Sequence, residues 1–126
     1  MKTVMLLDDA RSIRSLFGEV IRQAGFNTQT ASSAEEALLY IVENGFPDLI
    51  ISDIHMPGIG GMEFCRRVRK LSKQTPIIIM SALSDKELVA QAQKLGIQNW
   101  LLKPVEPGYF LNRLTAILGE TQALST

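Results

Sequence analysis

Four short runs of unbroken aliphatic character limit this chain more than any other feature: "TVMLL" at 3–7, "DLIIS" at 48–52, "PIIIM" at 76–80 and "NWLL" at 99–102. A strand with one wet face alternates apolar and polar residues, so runs without alternation must be covered on both faces. A parallel sheet held between helices meets that demand, and the segments between the runs have helical period. Ile13, Leu16, Phe17, Val20, Ile21 and Ala24 follow the i, i+3, i+4, i+7 rule, and Gly25 ends that first helix. "SAEE" at 33–36 and "SDKE" at 84–87 set a Glu three residues after a Ser, the capping-box pattern that opens the second and fourth helices. A third helix carries Phe64, Cys65, Val68 and Leu71 on one side, and a fifth starts near Pro107 and buries Phe110, Leu114 and Ile117. A weaker run, "NTQTA" at 27–31, fits an exposed edge strand. Five strand–helix units with short connections predict one doubly wound α/β domain over residues 1–119. Residues 120–126 are small and polar and lack the period; they are expected to be a free tail or the start of a linker.

The 126 residues suit one domain with a full core. Equal numbers of basic and acidic residues, 13 of each, exert no general pull toward nucleic acid or anionic lipid, so any partner is chosen by a local surface. Cys65 is the only cysteine and His55 the only histidine, which argues against a disulfide framework and a structural zinc site. A cytoplasmic location is expected. The first apolar run meets Asp8 and Asp9 too soon for a signal peptide, and no run approaches the roughly 18 apolar residues of a membrane span.

In an open parallel sheet, ligands bind beyond the carboxyl ends of the strands, beside the point where strand order reverses. Asp8 and Asp9 follow the first run, Asp53 the third, Ser81 the fourth and Lys103 the fifth. Any one of them has a bland reading as a cap, a turn residue or a solvated lysine. Together they converge on one edge of the sheet. Three carboxylates in one cleft repel each other unless a cation joins them, and all-oxygen ligands point to a hard ion such as Mg²⁺. Magnesium held by few protein groups keeps positions that phosphate oxygens fill, and Lys103 supplies a second cation for the same group. A carboxylate can itself be the nucleophile and form an aspartyl phosphate, with metal and lysine stabilising the transferring charge.

With these residues in these places, the chain resembles the response-regulator receiver family of two-component signalling, in the manner of a chemotaxis regulator. The resemblance runs over residues 2–118 and rests on "LLDDARSIR", "DLIISDIHMPGIGGMEF", "IIIMSA" and "NWLLKP" in family order. It implies a flavodoxin-like sheet in the order 2-1-3-4-5 and a phosphoacceptor at Asp53, charged by a histidine kinase or histidine phosphotransfer protein. It implies Mg²⁺ held by Asp53, by Asp9 directly, by Asp8 through water and by the backbone carbonyl of His55. Lys103 would contact the phosphoryl group, with its bond to Pro104 cis. Ser81 would reach for a phosphoryl oxygen and report its presence. Trp100 stands where the family usually has a tyrosine or phenylalanine switch. The side chains of His55 and Leu83 would flank the phosphoryl group, Leu83 as a shield from water.

The expected output is a surface of the fourth helix, fifth strand and fifth helix that changes its affinity for a downstream protein. The thin apolar face of the fourth helix, Leu88, Ala92 and Leu95, suits an element that shifts. Two alternatives stand beside this reading: a degenerate receiver acting as an interaction or dimerisation scaffold, and a Mg²⁺-dependent aspartyl-nucleophile phosphohydrolase. The short connections leave the second no room for a substrate cap, and it is not expected to be an enzyme in that sense. "RRVRKLSK" at 66–73 reads as the solvated face of the third helix rather than a nucleic-acid patch, and "PGIGG" at 57–61 as a flexible turn without the lysine of a P-loop.

Overall fold

The computed structural model describes residues 1–119; the expected tail at 120–126 lies outside them. The elements are β1 (Thr3–Leu7), α1 (Arg11–Gln23), β2 (Asn27–Ala31), α2 (Ala34–Asn44), β3 (Leu49–Ser52), α3 (Gly61–Leu71), β4 (Ile77–Ser81), α4 (Lys86–Lys94), β5 (Asn99–Leu102) and α5 (Pro107–Leu118). The sheet is parallel throughout, in the order β2-β1-β3-β4-β5, so the strand order reverses between β1 and β3 as expected.

The apolar runs of β1, β3 and β4 have the expected cause, whereas β5 is an edge strand in which only Leu101 is fully buried and Leu102 is half exposed. Met5, Leu7, Ile50, Ile77 and Ile79 face Ala37, Ile41, Phe64, Cys65, Val68 and Ala92 on the side of α2, α3 and α4. Val4, Leu6, Leu49, Ile51, Ile78 and Met80 face Phe17, Ile21, Phe110 and Leu114 on the side of α1 and α5. Alternate residues of each strand therefore serve two different cores, and each buried aliphatic or aromatic side chain contributes about 1.5–3 kcal/mol. The Phe17 and Phe110 rings, with centroids 4.6 Å apart, join α1 to α5. Cys65 belongs to the packing: burial pushes its thiol up to about 12, so it stays protonated.

Several local expectations are corrected. Leu16 and Leu71 continue the apolar stripes of α1 and α3, yet they are 51% and 71% exposed. Periodicity gives the direction of a side chain, not whether a neighbour stands there, and Leu71 is the last residue of its helix. The cap of α4 is Asp85, whose carboxylate accepts from the Glu87 and Leu88 amides, and not Ser84. Ser33 caps α2 by accepting from the Glu36 amide, but the Glu36 carboxylate returns to the Ser32 hydroxyl instead of closing on Ser33. At the end of α5 the buried residue is Leu118, while Ile117 is only partly covered.

The basic stretch of α3 is likewise not all solvated. Arg66 and Arg67 pair with Glu63 at the surface, but Arg69 turns inward, donating to the carbonyls of Leu95 (2.6 Å) and Thr75 (2.7 Å). It thereby anchors the C-terminal end of α4, a helix in which only Ala92 is fully buried.

These placements separate two residues that periodicity alone treats alike. Phe64→Ala should cost about 3–5 kcal/mol and Leu71→Ser less than about 0.5 kcal/mol in urea unfolding. Equal losses would contradict the burial assigned to α3.

Candidate functional site

The polar residues that follow the strands meet at one edge of the sheet. Asp8 leaves β1 with its amide on the carbonyl of Ala31 and its carboxylate buried. One carboxylate oxygen accepts from the Ala10 amide (2.9 Å) and the other from Lys103 Nζ (2.8 Å). Asp53 leaves β3 in the same way, its amide on the carbonyl of Leu7. Its Oδ1 accepts from the Ile54 amide (2.7 Å) and, at 3.3 Å, from that of His55, while Oδ2 lies 3.3 Å from Lys103 Nζ. Asp9 is exposed and follows Asp8 into the cleft mouth, and carboxylate oxygens of Asp8, Asp9 and Asp53 lie within 4.8 Å of one another.

Electrostatics follow from that crowding. Burial, and next the charge of Asp8, hold the Asp53 carboxyl above the usual carboxylate range, against the opposing pull of Lys103 and the Ile54 and His55 amides. Burial alone would lower Lys103, but the hydrogen bond and charge of Asp8, with the charge of Asp53, outweigh it and hold the ammonium above its ordinary value. Three carboxylates against one ammonium leave a formal deficit of two positive charges. A hard divalent cation with oxygen ligands fits both the charge and the donor set.

Ser81 is buried at the end of β4, and its hydroxyl accepts from the Leu83 amide (3.2 Å). Its carbonyl accepts from the Lys103 amide (2.8 Å), which ties the lysine-bearing loop to β4; the Lys103–Pro104 peptide is cis. Trp100 is partly buried at the sheet edge, and its indole N–H donates to the Leu83 carbonyl (3.0 Å). Ser81 and Trp100 thus bond to the two sides of one residue. The Leu83 side chain is half exposed, and that of His55 is exposed, so the part of His55 turned to Asp53 is its backbone.

One contributor, Arg14, has no mark in the sequence, and a second, Gly61, is expected there only as part of a flexible turn. Arg14 donates to the Asp8 carbonyl (2.8 Å) and so fixes the acidic turn from α1; the two lie six positions apart, and nothing in the spacing advertises a side-chain-to-backbone bond. Gly61 is not there for flexibility. A Cβ at that position would overlap the carbonyl oxygen of Asp53, so only glycine lets the start of α3 press against the backbone that aims the Asp53 carboxylate.

The comparisons agree with this architecture. Residues 4–115 match the model of the response regulator receiver domain, and the chain belongs to that family, the receivers of two-component signalling. It is 33% identical over its whole length to the transcriptional regulatory protein AfsQ1 of Streptomyces coelicolor, covering 55% of that protein. It is 30% identical over 103 residues to the sporulation initiation phosphotransferase F of Bacillus subtilis, covering 82% of each. The chemotaxis protein CheY4 of Vibrio cholerae superposes with a TM-score of 0.86 at 34% identity, over 93% of this chain and 98% of that one. The chain spans about half the length of the transcriptional regulators it matches.

The raised carboxyl of Asp53 has a stability consequence in metal-free protein. The native state holds that proton more tightly than the unfolded chain, so the contribution is present in acid and is lost as pH rises through the raised value. Asp53→Asn should therefore be more stable than the native chain at pH 7 without metal, with the two converging in acid. An equal or less stable variant at pH 7, by urea unfolding, would contradict the electrostatic account.

Proposed function

We propose that the chain is a phosphorylation switch: Asp53 accepts a phosphoryl group from a histidine kinase or histidine phosphotransfer protein, and the charged form binds a downstream protein differently. The observation that carries this is the position of the Asp53 carboxylate, between Lys103 on one oxygen and the Ile54 and His55 amides on the other, with Asp8 and Asp9 beside it.

Asp53 and Asp9 would hold Mg²⁺ directly, Asp8 would hold it through water, and the His55 carbonyl would complete the protein ligands. Bound there, the ion would neutralise charge on the transferring group. The remaining work falls to the chain. Backbone amides fix one oxygen of Asp53 and leave the other to attack phosphorus, while the bond from phosphorus to the donor nitrogen breaks. Lys103, held charged by Asp8, stabilises the phosphoryl oxygens. Ser81 gives up the Leu83 amide to reach a phosphoryl oxygen, and the Trp100 bond to the Leu83 carbonyl carries that change to β5. Leu83 shields the acyl phosphate from water.

The readout is the surface of α4, β5 and α5. Exposed Leu102 of β5 and Tyr109 of α5 give a partner apolar anchors there, and α4 is thinly packed. Residues 1–119 form the receiver unit and 120–126 its tail or the first part of a linker, and the domain works in the cytoplasm. Among the described residues no helix is long and apolar enough to cross a membrane.

Incubation with acetyl phosphate and Mg²⁺ should add a single phosphoryl group by intact mass, and Asp53→Asn should show none. Trp100 fluorescence should change in step with the adduct. An adduct of equal yield in Asp53→Asn, or none in folded native chain, would overturn the assignment.

A further inference from the structure

The opposite charge is concentrated elsewhere. Between α1 and the edge strand β2 lies a cleft of about 200 Å³ lined by Arg11, Arg14, Ser15, Arg22 and Thr30. The α1 residues fall at i, i+3, i+4 and i+11 and so form one stripe along the helix. Gly18 lies in the same stripe, one turn beyond Ser15. A Cβ there would lie 3.3 Å from Arg22 Nη2 and 3.5 Å from Thr30 Cγ2, so the glycine clears the floor across which the Arg22 guanidinium folds toward β2.

These guanidiniums are poorly neutralised. Arg22 meets Glu19 only through Nε, at 3.5 Å, and among the described residues neither Arg11 nor Arg14 makes an ion pair. Arg14 spends one Nη on the Asp8 carbonyl and keeps its other donors. Three cations line one cleft, and a multivalent anion bound there would offset their mutual repulsion.

We propose that this cleft is a second ligand site, for a phosphate-class oxyanion that is either free or carried on a small molecule. Three planar forks and two hydroxyls offer more donors, in more directions, than the two oxygens of a carboxylate can accept; a tetrahedral oxyanion presents acceptors to all of them. The volume admits such a group with waters around it, since liquid water occupies about 30 Å³ per molecule. The cleft touches the acidic turn only through the Arg14 bond to the Asp8 carbonyl, and filling it needs neither Mg²⁺ nor a kinase.

The test is an NMR titration of metal-free protein with inorganic phosphate, and separately with adenosine monophosphate, against chloride at matched ionic strength. The amides of Ser15, Gly18 and Thr30 should shift and saturate with phosphate but not with chloride. Arg11→Gln combined with Arg22→Gln, which leaves Arg14 on the acidic turn, should weaken binding by about tenfold or more, with the far-UV spectrum and melting curve unchanged. Tighter binding of the nucleotide would identify the phosphate as one carried on a small molecule, and tighter binding of inorganic phosphate as a free one; either supports the site. Shifts that fail to saturate, that chloride reproduces, or that survive in the folded double variant would overturn it.

Discussion

The contact on which the site depends is the one between Lys103 and Asp8, 2.8 Å long and joining residues 95 positions apart. Asp8 is fully buried, and a buried carboxylate without a partner costs several kcal/mol. Lys103 satisfies it and reaches Asp53 with the same ammonium, so one cation serves two of the three carboxylates. The result is a pocket that is stable enough to fold and still short of positive charge. A structure that neutralised all three acids would have no use for a metal ion, and one that neutralised none would not hold them together.

The rest of the fold serves to keep that contact in place. Lys103 extends from the end of β5 and Asp8 from the end of β1, with β3 and β4 between them, so the pair spans most of the sheet. Backbone bonds from Asp8 to Ala31, Asp53 to Leu7 and Lys103 to Ser81 fasten each site residue to the neighbouring strand or loop. Rigid strands buried on both faces aim the carboxylates, while the loop from Ser81 to α4 hangs on a serine hydroxyl and an indole N–H. The C-terminal end of α4 is pinned by Arg69 and its middle by Arg66 on Gln91, while Asp85 caps its N-terminal end.

What the sequence made legible follows from this division. Strands buried on both faces leave unbroken aliphatic runs, and the five polar residues after them lie where a parallel sheet must bring them together; the order β2-β1-β3-β4-β5 follows from the resemblance to the receiver family. The misses share another cause. Leu16 and Leu71 obey the helical period but stay half to mostly exposed, and Asp85, directly before the first turn, takes with its charged carboxylate the cap expected of Ser84. The inward turn of Arg69, the bond of Arg14 to the Asp8 carbonyl and that of Trp100 to the Leu83 carbonyl all end on backbone oxygens, which every residue has and no motif marks. Gly61 was visible as a glycine, but its reason, the pressing of α3 against Asp53, exists only in three dimensions.

The most direct test of the charge-deficient pocket is the thermal midpoint of the native chain at pH 7 as Mg²⁺ is raised at constant ionic strength. A pocket built for the ion predicts a midpoint that climbs with Mg²⁺, by the equivalent of about 2.7 kcal/mol at a hundredfold excess over the dissociation constant, and a clearly smaller climb in Asp9→Asn. A midpoint indifferent to Mg²⁺, or one that climbs equally in Asp9→Asn, would contradict the account.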